Sequence, residues 1–335
     1  MSGKRWAALG IAAVLFIGSI IMNVLSSAAS DNFTNLQGGG FLEDDPFVEK
    51  VVEKGSDKRN IVLLNVEGVI QDTGDATSLF QSPGYNHQRF LDMLEHAGED
   101  KNVEGIIIRV NSPGGGVVES AEIHDAITTI QKEHKKPVYI SMGNMAASGG
   151  YYISAPADKI FAHSSTLTGS LGVIIQSMNY GELADKLGVK WETIKSGTHK
   201  DILSPTREMT DEERKILQSI VDNSYNQFVD VIATGRGLSE NNVRELADGR
   251  VYDGQQAKEA DLVDELGDQE DTIKAMKKDL GNSHLNVIKY ENRLGWNSFL
   301  DMTAQKLFQP NGDLLGIQEL MSQTNTPQIK YLYTE

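Results

Sequence analysis

The chain has 335 residues, enough for one large or two modest domains, and 39% of them are hydrophobic, as in an ordinary globular protein. Its 47 acidic side chains outnumber 31 basic ones for a formal charge of −16, which repels phosphate and excludes nucleic acid as a natural partner. The same acidic surface keeps the body off anionic membrane faces, and the absence of cysteine agrees with an exported protein that needs no disulfides.

Lys4 and Arg5 precede residues 6–25, a run of twenty without charge. A helix of that length reaches about 30 Å, enough to cross the hydrocarbon layer. The basic pair favours a cytoplasmic N-terminus, with everything after Leu25 outside the cell. Residues 26–30 also have the small side chains of a secretory cleavage site. A secretory apolar region spans only about 7–15 residues, so length favours a retained anchor over 1–30. The body is exported in either case. Residues 31–59, with three consecutive glycines and Asp44-Asp45-Pro46, read as a tether containing a short helix at 47–54.

From Asn60 the pattern changes. Short apolar runs at 61–66, 103–110, 138–142, 160–162 and 173–175 suit strands covered on both faces. Helical stretches lie between them at 88–96, 118–135, 148–155 and 181–188. The alternation predicts an α/β domain with largely parallel pairing over 60–280. A strand-like segment at 191–196 leads into an irregular loop at 197–205. Thr210 then caps a long helix with Glu213 in a capping-box position. Ile216, Leu217, Ile220, Val221, Phe228, Val231 and Ile232 give that helix one apolar face, either core in its own subunit or a contact with a neighbour. A shorter helix is expected at 239–247 and a strand at 285–290. An amphipathic stretch at 299–308 follows, within a packing or oligomerisation segment spanning 281–323. The tail, 324–335, is polar until the apolar run at 329–333.

Chemistry concentrates at Gly143-Asn144-Met145-Ala146-Ala147-Ser148-Gly149-Gly150. Small residues let a strand turn sharply into a helix and present the Ser148 hydroxyl at the tip, facing unpaired amides and the positive end of the helix dipole. The same residues would also serve to pack a helix closely on a sheet. Asn111-Ser112-Pro113-Gly114-Gly115-Gly116 offers further backbone donors for an oxyanion, and it lacks the lysine and spaced glycines of nucleotide-binding loops. A base is harder to choose. His163 and His199 lie in plausible loops, whereas His87, His96, His124, His134 and His284 read as solvated. Lys200 would serve if burial penalised its ammonium form.

These segments, together with 167–173 (Leu-Thr-Gly-Ser-Leu-Gly-Val), 194–201 (Ile-Lys-Ser-Gly-Thr-His-Lys-Asp) and 249–257 (Gly-Arg-Val-Tyr-Asp-Gly-Gln-Gln-Ala), resemble the short Gram-positive type of the signal peptide peptidase A family across residues 60–280. The resemblance implies a caseinolytic-protease/crotonase fold of repeated strand-strand-helix units. It also implies a serine/lysine dyad in which Ser148 is the nucleophile, Lys200 the base and Ser170 the lysine's orienting partner, with Lys195 a weaker candidate base. The amides of Gly115 and Gly149 match the oxyanion donors. Because long members carry two such domains and this chain one, the resemblance further implies a homo-oligomeric ring whose active sites are shared between subunits. Remnant signal peptides and other short or unfolded chains are the implied substrates. No cofactor and no metal is expected. The apolar tail on its polar leash is a candidate for entering the enzyme's own groove, against a disordered end or a subunit contact. Two other functions stay open: a crotonase-like acyl-CoA enzyme, and a non-catalytic membrane-anchored scaffold.

Overall fold

A computed structural model describes residues 47–72, 85–292 and 329–332. Ile106, Ile107 and Ile108 are all fully buried in it and divide between two hydrophobic clusters. Ile106 and Ile108 belong with Val62, Leu64, Phe90 and Ile140; Ile107 belongs with Ile61, Leu63, Phe161, Ile273 and Met276. A strand covered on both faces has no reason to alternate apolar with polar residues, so these strands read as continuous apolar runs. Ile107→Ala is expected to cost about 2–5 kcal/mol of stability, measured by the urea midpoint. A loss under about 1 kcal/mol would mean that the second cluster does not close over this strand.

In chain order, β1 (Phe47–Glu53), β2 (Asn60–Glu67), α1 (His87–Glu99), β3 (Val103–Ser112) and β4 (Gly114–Gly116) lead into α2 (Val117–Thr129), which ends in a wider turn at Ile130–His134. Then come β5 (Val138–Ala147), α3 (Gly149–Ser154), β6 (Lys159–Ala162), β7 (Leu167–Gly169), β8 (Ile174–Ile175) and α4 (Gly181–Lys186). The long α5 (Asp211–Arg236) is followed by α6 (Glu240–Leu246), β9 (Val251–Tyr252), α7 (Gly254–Glu259) and β10 (Glu265–Leu266). α8 (Gln269–Asp279), β11 (Asn286–Asn292) and β12 (Ile329–Leu332) complete the described chain.

The main sheet runs β1, β11, β2, β3, β5, β6, β10, with β7 joined to the far part of β5 and β9 joined to β7. From β11 to β10 every neighbouring pair along this path is parallel, as the alternation of strands and helices predicts. Residues of α1, α2, α3 and α5 pack into the cluster on one face, and Ile273 and Met276 of α8 into the cluster on the other. The molecule is thus a mixed α/β domain built on a parallel sheet.

Several expectations change. The segment at 47–54 is not a helix: it forms β1, antiparallel to β11, with Val48, Val51 and Val52 exposed along an edge strand that also carries Glu49, Lys50 and Glu53. Charges on such a strand discourage pairing with another molecule. Residues 191–196 form no strand, and Trp191 and Ile194 stand exposed. The core reading of the long helix holds for its second half alone. Phe228, Val229, Val231 and Ile232 are buried, while Ile216 and Ile220 are exposed. Its capping box is present, with Thr210 Oγ1 accepting from the Glu213 amide and Glu213 accepting from the Thr210 amide. The tail run is ordered as β12. The apolar segment at 6–25 and the amphipathic stretch at 299–308 lie outside the described residues; among those described, no helix is long and apolar enough to cross a membrane.

Candidate active site

β5 stops at Ala147 because both its neighbours stop it there: Ala146 pairs with Ser112 of β3, and Ala147 with Gly169 of β7. The next residue, Ser148, takes φ 54° and ψ −117°, a conformation costing a non-glycine residue about 1–3 kcal/mol. Three hydrogen bonds hold it there. Its amide donates to the Gly169 carbonyl at 2.8 Å, and its carbonyl accepts from the Tyr151 and Tyr152 amides at 2.9 Å, which begins α3. The side chain is left at a sharp tip between strand and helix. Ser148 Oγ is buried and among the described residues has no hydrogen-bond partner, an unfavourable arrangement for a hydroxyl that serves only packing.

The glycine strand lies alongside. Gly114 has φ 103°, and a Cβ there would collide with the Tyr331 carbonyl and come within 2.6 Å of the Gly149 amide nitrogen. Ser112 Oγ accepts from the Gly114 amide at 3.0 Å, and Ser120 Oγ donates to the Gly116 carbonyl at 2.8 Å, so the strand is pinned at both ends. On one edge the Gly114 carbonyl and the Gly116 amide are taken by Ile70. Since successive backbone groups of a strand point to opposite edges, the Gly115 amide faces the other edge.

That other edge is occupied. β12 lies antiparallel between β4 and β8, with Lys330 opposite Gly116, Tyr331 opposite Gly115 and Leu332 opposite Gly114. The Tyr331 ring is fully buried, 4.7 Å from Phe228 and stacked 5.0 Å from Tyr152, and its hydroxyl donates to the Ser224 carbonyl at 3.1 Å. Burial pushes this phenol well above the usual tyrosine range, so it stays a neutral donor. A peptide strand therefore runs beside the glycine strand, with one side chain in an aromatic pocket.

Residues 130–283 match peptidase family S49. A protein of Enterococcus faecium named signal peptide peptidase SppA is 41% identical, over 99% of this chain and 99% of its own. The chain belongs to peptidase family S49. Protease 4 of Haemophilus influenzae is 33% identical over 73% of this chain but only 38% of its own length. A solved ClpP1 mutant from Listeria monocytogenes aligns with a TM-score of 0.40 at 20% identity, covering 62% of this chain and 92% of that one. This S49 protein is a serine peptidase.

In the peptidase, the residues singled out from sequence fall into two groups. The Gly115 amide nitrogen lies 3.1 Å from where a Cβ on Gly149 would sit, next to Ser148, and Ser170 follows Gly169, which accepts the Ser148 amide; Ser170 is held at φ 50° with its own amide donating to the Arg250 carbonyl at 2.7 Å. Lys200 does not join them within one chain. It lies in a series of turns, exposed, and among the described residues its side chain makes no hydrogen bond or ion pair. Lys195 Nζ is engaged, donating to Asp201 at 2.6 Å and to the Thr198 carbonyl at 2.9 Å. His163 is exposed and its Nδ1 accepts from the Ser165 amide at 3.1 Å.

His87 departs from its expected solvation. It is 3% exposed, with Nδ1 2.6 Å from the Tyr85 hydroxyl and Nε2 2.7 Å from Glu122. The pocket made by Tyr152, Phe228 and the Ser224 carbonyl was not foreseen. Phe228 stood out only as one residue of an apolar helix face, and its role arises because α5 crosses beside α3. Among the described residues, no group of three or more His, Asp or Glu side chains is arranged to hold a metal ion.

Proposed function

We propose that this S49 peptidase is a membrane-anchored endopeptidase that degrades signal peptides left after preprotein processing, along with other short or unfolded chains. The observation that carries the reading is β12: a tyrosine-containing peptide lies as a strand between β4 and β8, its Tyr331 carbonyl crowding the same point off Gly114 as the amide of Gly149, the residue after the buried Ser148. Strand addition of this kind recognises backbone rather than sequence, and pockets for alternate side chains add selectivity. Such a groove suits extended, mostly apolar peptides and favours hydrolysis over acyl-CoA chemistry.

Ser148 Oγ attacks the carbonyl carbon while a neutral Lys200 amine accepts its proton. Negative charge gathers on the former carbonyl oxygen, which the Gly115 and Gly149 amides stabilise. The ammonium then protonates the departing amine, leaving an acyl-enzyme. Water repeats the sequence and releases Ser148. Ser170 orients the lysine.

Since the buried Ser148 hydroxyl has no partner and Lys200 is exposed within one chain, the lysine comes from a neighbouring subunit of a ring. Met178, Leu183, Leu187, Trp191 and Ile194, exposed around α4 and the loop that follows, supply apolar surface for that contact. In this reading the fold is of the caseinolytic-protease/crotonase type. The chain divides into an anchor at 1–30, a tether at 31–59, the peptidase domain at 60–280, a packing segment at 281–323 and a tail at 324–335. Lys4 and Arg5 keep the N-terminus cytoplasmic and place the peptidase domain outside the membrane.

The test is hydrolysis of a synthetic signal peptide by the wild type and by Ser148→Ala. Cleavage by the wild type alone supports the reading; equal rates remove it. The tail gives a second expected result. The Tyr331 carbonyl crowds the same point off Gly114 as the Gly149 amide, and on this reading Tyr331–Leu332 is the bond presented for attack. Intact-mass measurement is expected to find the wild type ending at Tyr331 and Ser148→Ala ending at Glu335. Identical C-termini would make β12 an inhibitor rather than a substrate.

A further inference from the structure

No helix or strand lies between Lys186 at the end of α4 and Asp211 at the start of α5, yet this stretch carries Lys200. Around Lys200 the backbone makes turn-like bonds such as Lys200 N to the Gly197 carbonyl and Ile202 N to the His199 carbonyl, both 3.2 Å, while the far end of the stretch is tied back to Tyr180, whose amide donates to the Pro205 carbonyl at 2.8 Å. A displacement of about 1 Å at a reacting group can cost about 10²-fold in rate, so a base carried on turns needs a second support. A charged clamp compensates. The Arg207 guanidinium grips Asp201 with one side, Nε to Oδ2 at 3.0 Å and Nη2 to Oδ1 at 2.7 Å, and its Nη2 also reaches the Asp201 carbonyl at 3.0 Å. With the other side it grips Glu213, Nη1 to Oε2 at 2.9 Å and Nη2 to Oε1 at 2.6 Å.

Glu213 is 2% exposed and caps α5, whose other half is rooted in the core and walls the Tyr331 pocket through Phe228. Arg207 and the capping amide of Thr210 draw the Glu213 carboxyl down to about 2, and Arg207 with Lys195 holds Asp201 well below the usual carboxylate range. Both carboxylates are thus ionised at any pH where the peptidase works. Arg207 thereby joins the residue next to Lys200 to the helix that shapes the peptide pocket.

We infer that Arg207 is a positioning residue for catalysis: by bridging Asp201 and Glu213 it fixes the Lys200 loop to α5 and so sets where Lys200 is delivered to a neighbouring Ser148. The inference rests on Lys200 being the base. A planar fork gripping two carboxylates is a task that an ammonium cannot repeat with the same geometry. A loop released from α5 no longer delivers the Lys200 amine to the neighbouring subunit's site.

The experiment follows hydrolysis of a tyrosine-containing fluorogenic peptide across pH by full-length Arg207→Gln, Arg207→Lys and Lys200→Ala, with particle mass and thermal melting measured on each. Arg207→Gln is expected to lose at least about tenfold in kcat with KM within about twofold, and its rising limb should move at least about one pH unit to the alkaline side. Arg207→Lys should fall between Arg207→Gln and the wild type. Lys195 also bonds Asp201, and His199 lies 3.8 Å from Glu212 and 3.9 Å from Glu213, so His199→Gln in parallel separates an imidazole contribution from that of the amine. An unmoved limb in assembled Arg207→Gln overturns the inference, whether kcat is retained or lost. Should Arg207→Gln fail to assemble, the same criterion applies to Arg207→Lys. Wild-type rates in Lys200→Ala would remove the base and the clamp together. An inactive Lys200→Ala beside an unaltered Arg207→Gln would remove the clamp alone.

Discussion

Mixing two inactive variants, Ser148→Ala and Lys200→Ala, is expected to restore peptide hydrolysis once their subunits exchange into common particles. Each variant alone should lose about 10⁴-fold or more in kcat, since nucleophile and base act as one unit and removing either disables both. In a head-to-tail ring every site draws on two subunits, so an equal random mixture completes about a quarter of its sites. The recovered rate should approach that fraction of the wild type. The expectation comes from the buried, unpartnered Ser148 hydroxyl and the exposed Lys200 on the same chain. Mixed particles that form, as judged by mass, yet stay inactive would show that one subunit does not complete another. A Lys200→Ala parent that already matches the wild type would dismiss the lysine altogether.

What could be read from sequence follows the range of the interactions involved. β2, β3 and β5 were legible because burial on both faces writes itself as unbroken apolar runs, and the start of α5 because Thr210 and Glu213 are three residues apart and form a local capping box. The elbow at Ser148 was legible for the same reason: small residues and a turn are local. β1 was not. Its pattern of charges and valines suits a helix as well as an edge strand, and only β11, more than 230 residues away, decides between them. The aromatic pocket also escaped, since Tyr152, Phe228 and Tyr331 meet from three distant segments. The Arg207 clamp is short in sequence, six residues to each carboxylate, but that spacing fits no helix or strand period and gives no signal until the loop is folded.

Gly114→Ala is expected to lower kcat about 10²–10³-fold, the range seen when an oxyanion donor is lost. Two independent causes act at this position. Its φ of 103° is strained for alanine, and the added methyl would sit 2.6 Å from the Gly149 amide nitrogen and on the Tyr331 carbonyl, where the peptide backbone must pass. The first cause costs stability, about 1–3 kcal/mol; the second costs rate. Gly281→Ala separates them, because Gly281 has φ 66° with nothing within 4 Å of an added Cβ and lies after α8, outside the groove. It should lose stability to a comparable degree and keep its kcat. If Gly114→Ala hydrolyses peptide within about threefold of the wild type, the space between β4 and α3 is not where negative charge develops. Ser148 would then need another source of donors, and the peptide seated as β12 would lie in a non-productive register.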